Sequence, residues 1–224
     1  MRKPYATPTF LRFLLSYVIV LLVPFVLLWT LMYSHFMGVQ KSQLLESTEQ
    51  VLLQIRNTMD TKTREMTNIA SKVSTEPELS PYQIQSFFEV YHNQRLLNYT
   101  SSNQFIGDVL LYLRGGSYLF SSTSSYTLDM YANLNKDLGW TPSELSDQLN
   151  HLDKPVLRKP VPGGEPANKK LQMLYPIPLN STKPYSTLLI TFTEESVRQL
   201  FDAILTIPGS NAAIYNEQNE LITA

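Results

Sequence analysis

Ile106-Gly107-Asp108-Val109-Leu110-Leu111-Tyr112-Leu113-Arg114-Gly115-Gly116-Ser117-Tyr118-Leu119-Phe120-Ser121 sets the period of everything around it. Ile106 to Leu113 is a β-prone run, Arg114-Gly115-Gly116 supplies a turn, and Ser117 to Ser121 answers as a second strand. Two such runs closed by glycines read as an antiparallel hairpin. Upstream of it the apolar spacing is helical, and downstream strands and helices alternate.

Downstream, Thr141-Pro142-Ser143-Glu144 is a capping box, in which hydroxyl and carboxylate each satisfy an orphan amide of a new helix. Lys159-Pro160-Val161-Pro162-Gly163-Gly164-Glu165-Pro166 is too rich in Pro and Gly for regular structure and reads as a surface loop. Two strands follow, Leu171 to Leu179 and Tyr185 to Phe192, joined by the polar turn Asn180 to Lys183. Pro176 and Pro178 cannot donate to a ladder, so the first of these strands is expected at an edge or irregular. Thr193 caps a further helix, with Glu194 and Glu195 at its positive end and Val197, Leu200, Phe201, Ile204 and Leu205 on one face. Ile207-Pro208-Gly209 stops that helix, and Ala212 to Tyr215 with the turn Asn216 to Asn219 begins another hairpin. Strands of an antiparallel sheet backed by helices make an α+β module.

Upstream, Ser80-Pro81 suits the cap and first position of a helix whose apolar face is Ile84, Phe87, Phe88, Tyr91 and Leu96. Before it, Leu45, Thr48, Leu52, Ile55, Met59, Lys62, Met66, Ile69 and Val73 recur at steps of three and four. This stripe predicts a long helix from about Gly38 to Ser74, about 55 Å at 1.5 Å per residue, ending before Pro77. The stripe serves packing against the following domain, pairing with a second copy of the chain, or both at different heights.

Further upstream, Phe13 to Tyr33 is almost wholly apolar, and no charged residue occurs from Phe13 to Gln40. About 20 such residues cross a hydrocarbon layer of roughly 30 Å, so the run reads as a transmembrane helix. It is longer than a signal-peptide core and is followed by Tyr33-Ser34-His35-Phe36-Met37 rather than a small-residue cleavage site. Pro24 is tolerated in a membrane helix, and Tyr17, Trp29 and Tyr33 lie towards its ends. Arg2, Lys3 and Arg12 precede the run without an acid, whereas Glu46 and Glu49 follow it. The positive-inside rule therefore puts the N-terminus in the cytoplasm and everything after about Val39 outside. Removing those three from the 18 cations leaves 15 against 19 carboxylates, a net charge of −4 that excludes a nucleic-acid surface on this portion. The chain has no cysteine, which excludes disulfides, thiolate metal sites and thiol catalysis.

No pattern of residues points to an enzyme or to a cofactor. His35, His92 and His151 are far apart and lack metal-ligand spacing. Gly115-Gly116 and Gly163-Gly164 lack the Lys-Ser/Thr of a phosphate loop, and Glu194 and Glu195 are adjacent, so they point in different directions on a helix. Asn98-Tyr99-Thr100 and Asn180-Ser181-Thr182 match a glycosylation acceptor pattern and read as chance matches in polar sequence. Tyr112, Tyr118, Tyr126, Tyr131 and Tyr175 cluster near the strands, where a ring with a polar tip suits either a pocket wall or ordinary packing. No ligand-binding residue is assigned.

Phe10-Leu11-Arg12-Phe13-Leu14-Leu15-Ser16-Tyr17, running into the span with Pro24, resembles the start of transmembrane AraC-type transcriptional regulators. It equally resembles their companion sensor histidine kinases, both from Gram-positive, Paenibacillus-like bacteria. The likeness continues through Ile106-Gly107-Asp108-Val109-Leu110-Leu111-Tyr112, Leu174-Tyr175-Pro176-Ile177-Pro178-Leu179 and Leu188-Leu189-Ile190. It implies a Cache-type extracellular sensor, a PAS-like sheet hung on a long membrane-emergent helix and used in signal transduction. The corresponding organisation is a cytoplasmic N-terminus over 1–12, a transmembrane helix over 13–33 and a long helix over 38–76. A Cache-like sensor lobe over 77–208 and the start of a truncated second lobe over 209–224 complete it. Family members continue into a second lobe, a second span and an output domain, so the chain is expected to be an N-terminal fragment or a truncated gene product. The partners implied are the lipid bilayer, a sugar-like small molecule or a solute-binding protein, and a second copy in a homodimer. The alternatives are the sensor region of a histidine kinase and a single-pass membrane protein that dimerises through its long helix.

Overall fold

The computed structural model describes residues 8–84, 90–101, 103–161, 169–205, 213–215 and 221–223. The chain divides into two compact units, Met1–Leu53 and Gln54–Ala224. Helix α1 (Pro8–Thr75) supplies the described residues of the first unit and the opening of the second. The expected spanning and membrane-emergent helices are therefore one element, with Pro24 inside it.

In the first unit every described side chain from Phe10 to Gln50 is exposed. This part of α1 holds a stretch long and apolar enough to cross a membrane, and none of that stretch is buried by protein. A core helix of a water-soluble domain would be mostly covered, which argues against that reading.

The second unit is built on a six-stranded antiparallel sheet. Its strands are β1 (Asp108–Leu113), β2 (Tyr118–Ser121), β3 (Ser125–Thr127), β4 (Val156–Arg158), β5 (Lys170–Ile177) and β6 (Ser186–Thr193), in the order β3-β2-β1-β6-β5-β4. The expected hairpin is β1–β2, turning at Gly115, whose φ of 77° suits a residue without Cβ. Helices α2 (Val90–Thr100), α3 (Leu128–Leu134), α4 (Pro142–His151) and α5 (Glu194–Asp202) flank the sheet, giving the α+β, PAS/Cache-like architecture. A separate pair, β7 (Ile214–Tyr215) with β8 (Leu221–Thr223), forms the last hairpin.

Both faces of the sheet are apolar, because strands covered on two sides cannot alternate apolar with polar. One face carries Leu110, Tyr112, Leu119, Leu174 and Leu189, packed with Tyr131, Trp140, Leu145 and Leu149 of the α3–α4 layer. The other face carries Val109, Leu111, Leu188, Ile190 and Phe192 and receives α1. Three contacts locate α1 there: Thr67 Oγ1 lies 3.4 Å from the Tyr175 hydroxyl, Tyr185 donates to the Ser74 carbonyl at 3.4 Å, and Lys62 lies over the Phe105 ring that stacks on Phe192. Ile55, Met66, Ala70 and Val73 are buried in this layer. The heptad stripe therefore divides: from Ile55 onward it carries buried residues, while Leu45 and Leu52 stay 63% and 58% exposed.

The caps behave as their chemistry requires. Thr141 Oγ1 accepts the Glu144 amide and the Glu144 carboxylate accepts the Thr141 amide, each at 3.3 Å. Those hydrogen bonds hold the Glu144 carboxyl below its ordinary range. Thr193 Oγ1 accepts the Ser196 amide at 3.1 Å and starts α5.

Three expectations are corrected. Ser80-Pro81 opens a single turn rather than a helix: the Ser80 carbonyl accepts both the Gln83 and Ile84 amides, and Ile84 is drawn into the core. Of the apolar face assigned to that helix, Phe87 and Phe88 lie outside the described residues, and α2 carries the buried Leu96. Second, β5 is an interior strand despite Pro176 and Pro178. β4 pairs only Gln172 to Leu174, so Pro176 lies beyond its end. Ile177 turns its carbonyl to β6, where it accepts from Tyr185, and by alternation Pro176 turns its donor-less nitrogen away. Third, α5 ends at Asp202, ahead of the expected Ile207-Pro208-Gly209 stop, which lies outside the described residues with Pro162 to Pro166 of the proline loop.

Leu189 is fully buried at the sheet centre, whereas Met130 is 51% exposed on α3. Leu189→Ala is expected to lower the unfolding free energy by about 2–5 kcal/mol and Met130→Ala by less than about 0.5 kcal/mol, read by denaturant titration.

Candidate functional site

Directly opposed residues of an antiparallel pair share a face. The registers Arg158↔Gln172, Gln172↔Thr191 and Thr191↔Asp108 therefore set one polar side chain from each of β4, β5, β6 and β1 in a single row across the sheet. One step inward, the corresponding row of Val156, Leu174, Leu189 and Leu110 is apolar. The polar row thus marks the rim of the core beneath the α3–α4 layer.

Gln172 is the hub and is fully buried. Its amide nitrogen donates to the Tyr131 hydroxyl at 2.6 Å and to Thr191 Oγ1 at 3.1 Å, while its carbonyl oxygen accepts the Trp140 indole N–H at 3.4 Å. Thr127 caps α3 and so places Tyr131 one turn in, above the row. Gly139, at φ 62°, turns the chain so that Trp140 follows it back to the sheet. Burial pushes the Tyr131 phenol up to about 12; the hydrogen bonds from Gln172 and Thr191 act against this, and the charges of Asp108 and Asp137 add to it. Tyr131 is therefore a neutral hydroxyl at physiological pH.

The row ends in opposite charges. The Arg158 guanidinium lies 4.2 Å from the Trp140 ring and donates to the carbonyls of Leu138 and Gly139 at 3.1 and 3.3 Å. Asp108 accepts from the Ser121 hydroxyl at 2.8 Å and from the Ser122 hydroxyl at 2.6 Å. At about 4.8 Å per strand, their backbones stand about 14 Å apart. Beside the row, Lys170 donates to Asn135 at 2.8 Å, and Asn135 donates to the Tyr131 carbonyl at 3.0 Å. The arrangement offers a carboxamide, hydroxyls and an indole N–H between a cation and an anion. These groups satisfy one another beneath Tyr131 and Trp140, so a polar molecule binds here only by replacing partners within the network.

The five tyrosines do not line one wall. Tyr131 lies over the row and Tyr126 packs beside it, their rings 6.2 Å apart. Tyr112 shares that face but spends its hydroxyl on Gly116 and Asn150, Tyr175 faces α1, and Tyr118 is partly exposed on β2. His35 is exposed on α1, His151 is exposed and lies 3.0 Å from Asp147, and the His92 side chain lies outside the described residues. Among the described residues no His, Asp and Glu gather as metal ligands. Glu195 pairs with Arg198 at 2.6 Å and Glu194 lies 3.9 Å from Lys169, so the two carboxylates serve the first turn of α5.

Gln172, Thr191, Asp108, Arg158 and Trp140 went unmarked in the sequence. The available signal was Gln172 inside the apolar run Leu171 to Leu174, a polar residue that has to be satisfied if buried.

No protein-family model matches the chain, and no curated protein matches it in sequence. Solved structures of the sensory domain of the Campylobacter jejuni chemoreceptor Tlp3 are similar to it. The domain in complex with L-valine aligns with a TM-score of 0.52 at 13% identity over 83% of this chain and 72% of that one. The isoleucine-bound domain gives 0.52 at 12% over 83% and 72%, and the L-norvaline complex 0.51 at 13% over 82% and 69%. At such identity the likeness is one of fold.

Gln172→Leu takes a donor from Tyr131 and Thr191, which keep each other, and leaves the buried Trp140 indole N–H without its acceptor; a group left unpaired costs about 1–3 kcal/mol, so a clear fall in denaturation midpoint is expected. Tyr131 adds a pH signature. Its folded pKa lies above its ordinary value of 10.0, so its contribution is complete below pH 10 and declines as pH rises to about 12. Stability measured across that window is expected to fall less steeply in Tyr131→Phe than in the parent chain.

Proposed function

We propose that this chain is the membrane-anchored, extracytoplasmic signal-sensing region of a transmembrane AraC-type transcriptional regulator. The observation that carries the reading is that α1 holds the apolar span and also contributes Ile55, Met66, Ala70 and Val73 to the core of a domain with a chemoreceptor sensory fold. The choice of regulator over histidine kinase rests on the resemblance of the N-terminal segment and strands described above. Residues 1–12 lie in the cytoplasm in this reading, 13–33 cross the membrane, 38–76 emerge, 77–208 form the sensor lobe and 209–224 begin a second lobe.

The activity is recognition rather than catalysis. The Tlp3 sensory domain was solved with L-valine, isoleucine and L-norvaline, and in this reading a small polar ligand exchanges with partners in the polar row of Arg158, Gln172, Thr191 and Asp108. A ligand shifts the domain only if it binds two arrangements unequally, and a hundredfold preference supplies about 2.8 kcal/mol. Exposed Leu44, Leu45, Leu52 and Leu53 on α1 support pairing with a second copy, through which such a shift passes to the bilayer.

The absence of cysteine makes the topology directly readable. In intact cells, Ser42→Cys is expected to react with a membrane-impermeant maleimide and Thr7→Cys only after lysis; the opposite pattern would invert the chain. Reading the coding sequence downstream tests the parent protein: helix-turn-helix output is expected, and a kinase ATP-binding region would replace the regulator reading.

A further inference from the structure

A groove of about 860 Å³ opens between α1, the end of α2 with the loop after it, and α5, on the face of the sheet opposite the polar row. We infer that this groove is a second ligand site, shaped for a short carbohydrate chain carrying a carboxylate. Its volume falls within the range of small-molecule sites, and its open form admits an oligomer.

The lining chemistry selects the class. Asn68 of α1 and Gln104 of the loop after α2 bring exposed carboxamides to the groove, and Gln199 of α5 adds a third that also donates to Glu195 at 3.1 Å. A carboxamide presents a donor and an acceptor side by side, which matches the paired hydroxyls of a sugar ring, themselves donors and acceptors. Half-buried Ile69 and Leu200 give apolar patches between them for the C–H face of such a ring.

Charge narrows the class further. Lys62 and Glu65 neutralise each other at 2.9 Å, and Asn103 donates to the same carboxylate at 3.2 Å. Lys72 is exposed and has no ion-pair partner among the described residues, so the groove presents one open cation. A zwitterionic amino acid needs an open anion beside that cation, and Glu65 is already satisfied from two sides. A saccharide with an acidic group meets both the carboxamides and Lys72. Because α1 forms one wall and α5 another, such a ligand would tie the helix to the module without passing through the sheet.

The site goes beyond the sensor reading and does not depend on it. The test is titration calorimetry of the full chain in lipid nanodiscs, with trigalacturonate as the acidic probe and maltotriose as the neutral one. Trigalacturonate is expected to bind with a Kd below about 1 mM and maltotriose about tenfold more weakly or worse. Asn68→Ala with Gln199→Ala is expected to weaken the acidic probe at least about tenfold, and Lys72→Gln to bring it to the neutral level. All three side chains are exposed, so the variants are expected to keep the parental melting temperature, which is measured alongside. Met130→Ala, exposed on α3 on the other side of the sheet, leaves the binding unchanged. No heat for either saccharide, or equal affinity for the two, would overturn the assignment. So would parental affinity for trigalacturonate in the groove variants, which would place the saccharide elsewhere.

Discussion

The burial of Met66, Ala70 and Val73 of α1, between the contacts at Lys62, Thr67 and Ser74 that hold it to the sheet side, is the constraint on which the rest of the second unit depends. Val109, Leu111, Leu188, Ile190 and Phe192 form a continuous apolar face that water would otherwise wet, and each large side chain so covered contributes about 1.5–3 kcal/mol. Ala70 is fully buried in this layer. Thr67 to Tyr175 and Ser74 to Tyr185 add polar contacts along the same seam. A helix that begins in an apolar span is in this way also the structural floor of the domain.

Strand geometry connects that floor to the polar row. Successive residues point to opposite faces, so Gln172 and Thr191 sit in the row while Tyr175, Ile190 and Phe192 of the same strands meet the α1 side. A displacement of the row has only the thickness of one sheet to cross. Close-packed interiors pass such displacements on rather than absorbing them, provided two arrangements exist.

Local chemistry was legible in the sequence and lateral chemistry was not. The glycine turn of β1–β2, the Thr141 capping box and the Thr193 cap each depend on residues a few positions apart, and each forms as its composition implies. β3 and α3 were not read, because Ser125 to Leu134 mixes polar and apolar residues without a clean period and α3 is only seven residues long. Pro176 misled because the cost of a proline depends on which neighbour has already ended, and that is a property of the assembled sheet. The polar row is invisible for the same reason: Asp108, Arg158, Gln172 and Thr191 are distant in the chain and meet only through register.

Hydrogen exchange of the full chain in nanodiscs, read residue by residue, addresses the central claim that α1 from Ile55 to Val73 is part of the domain core. The amides of that segment are expected to exchange with the same opening free energy as those of β1, β5 and β6, as one cooperative unit. Exchange of the α1 segment at a much lower opening free energy than the sheet would contradict the account, since the helix would then come and go while the domain stayed folded.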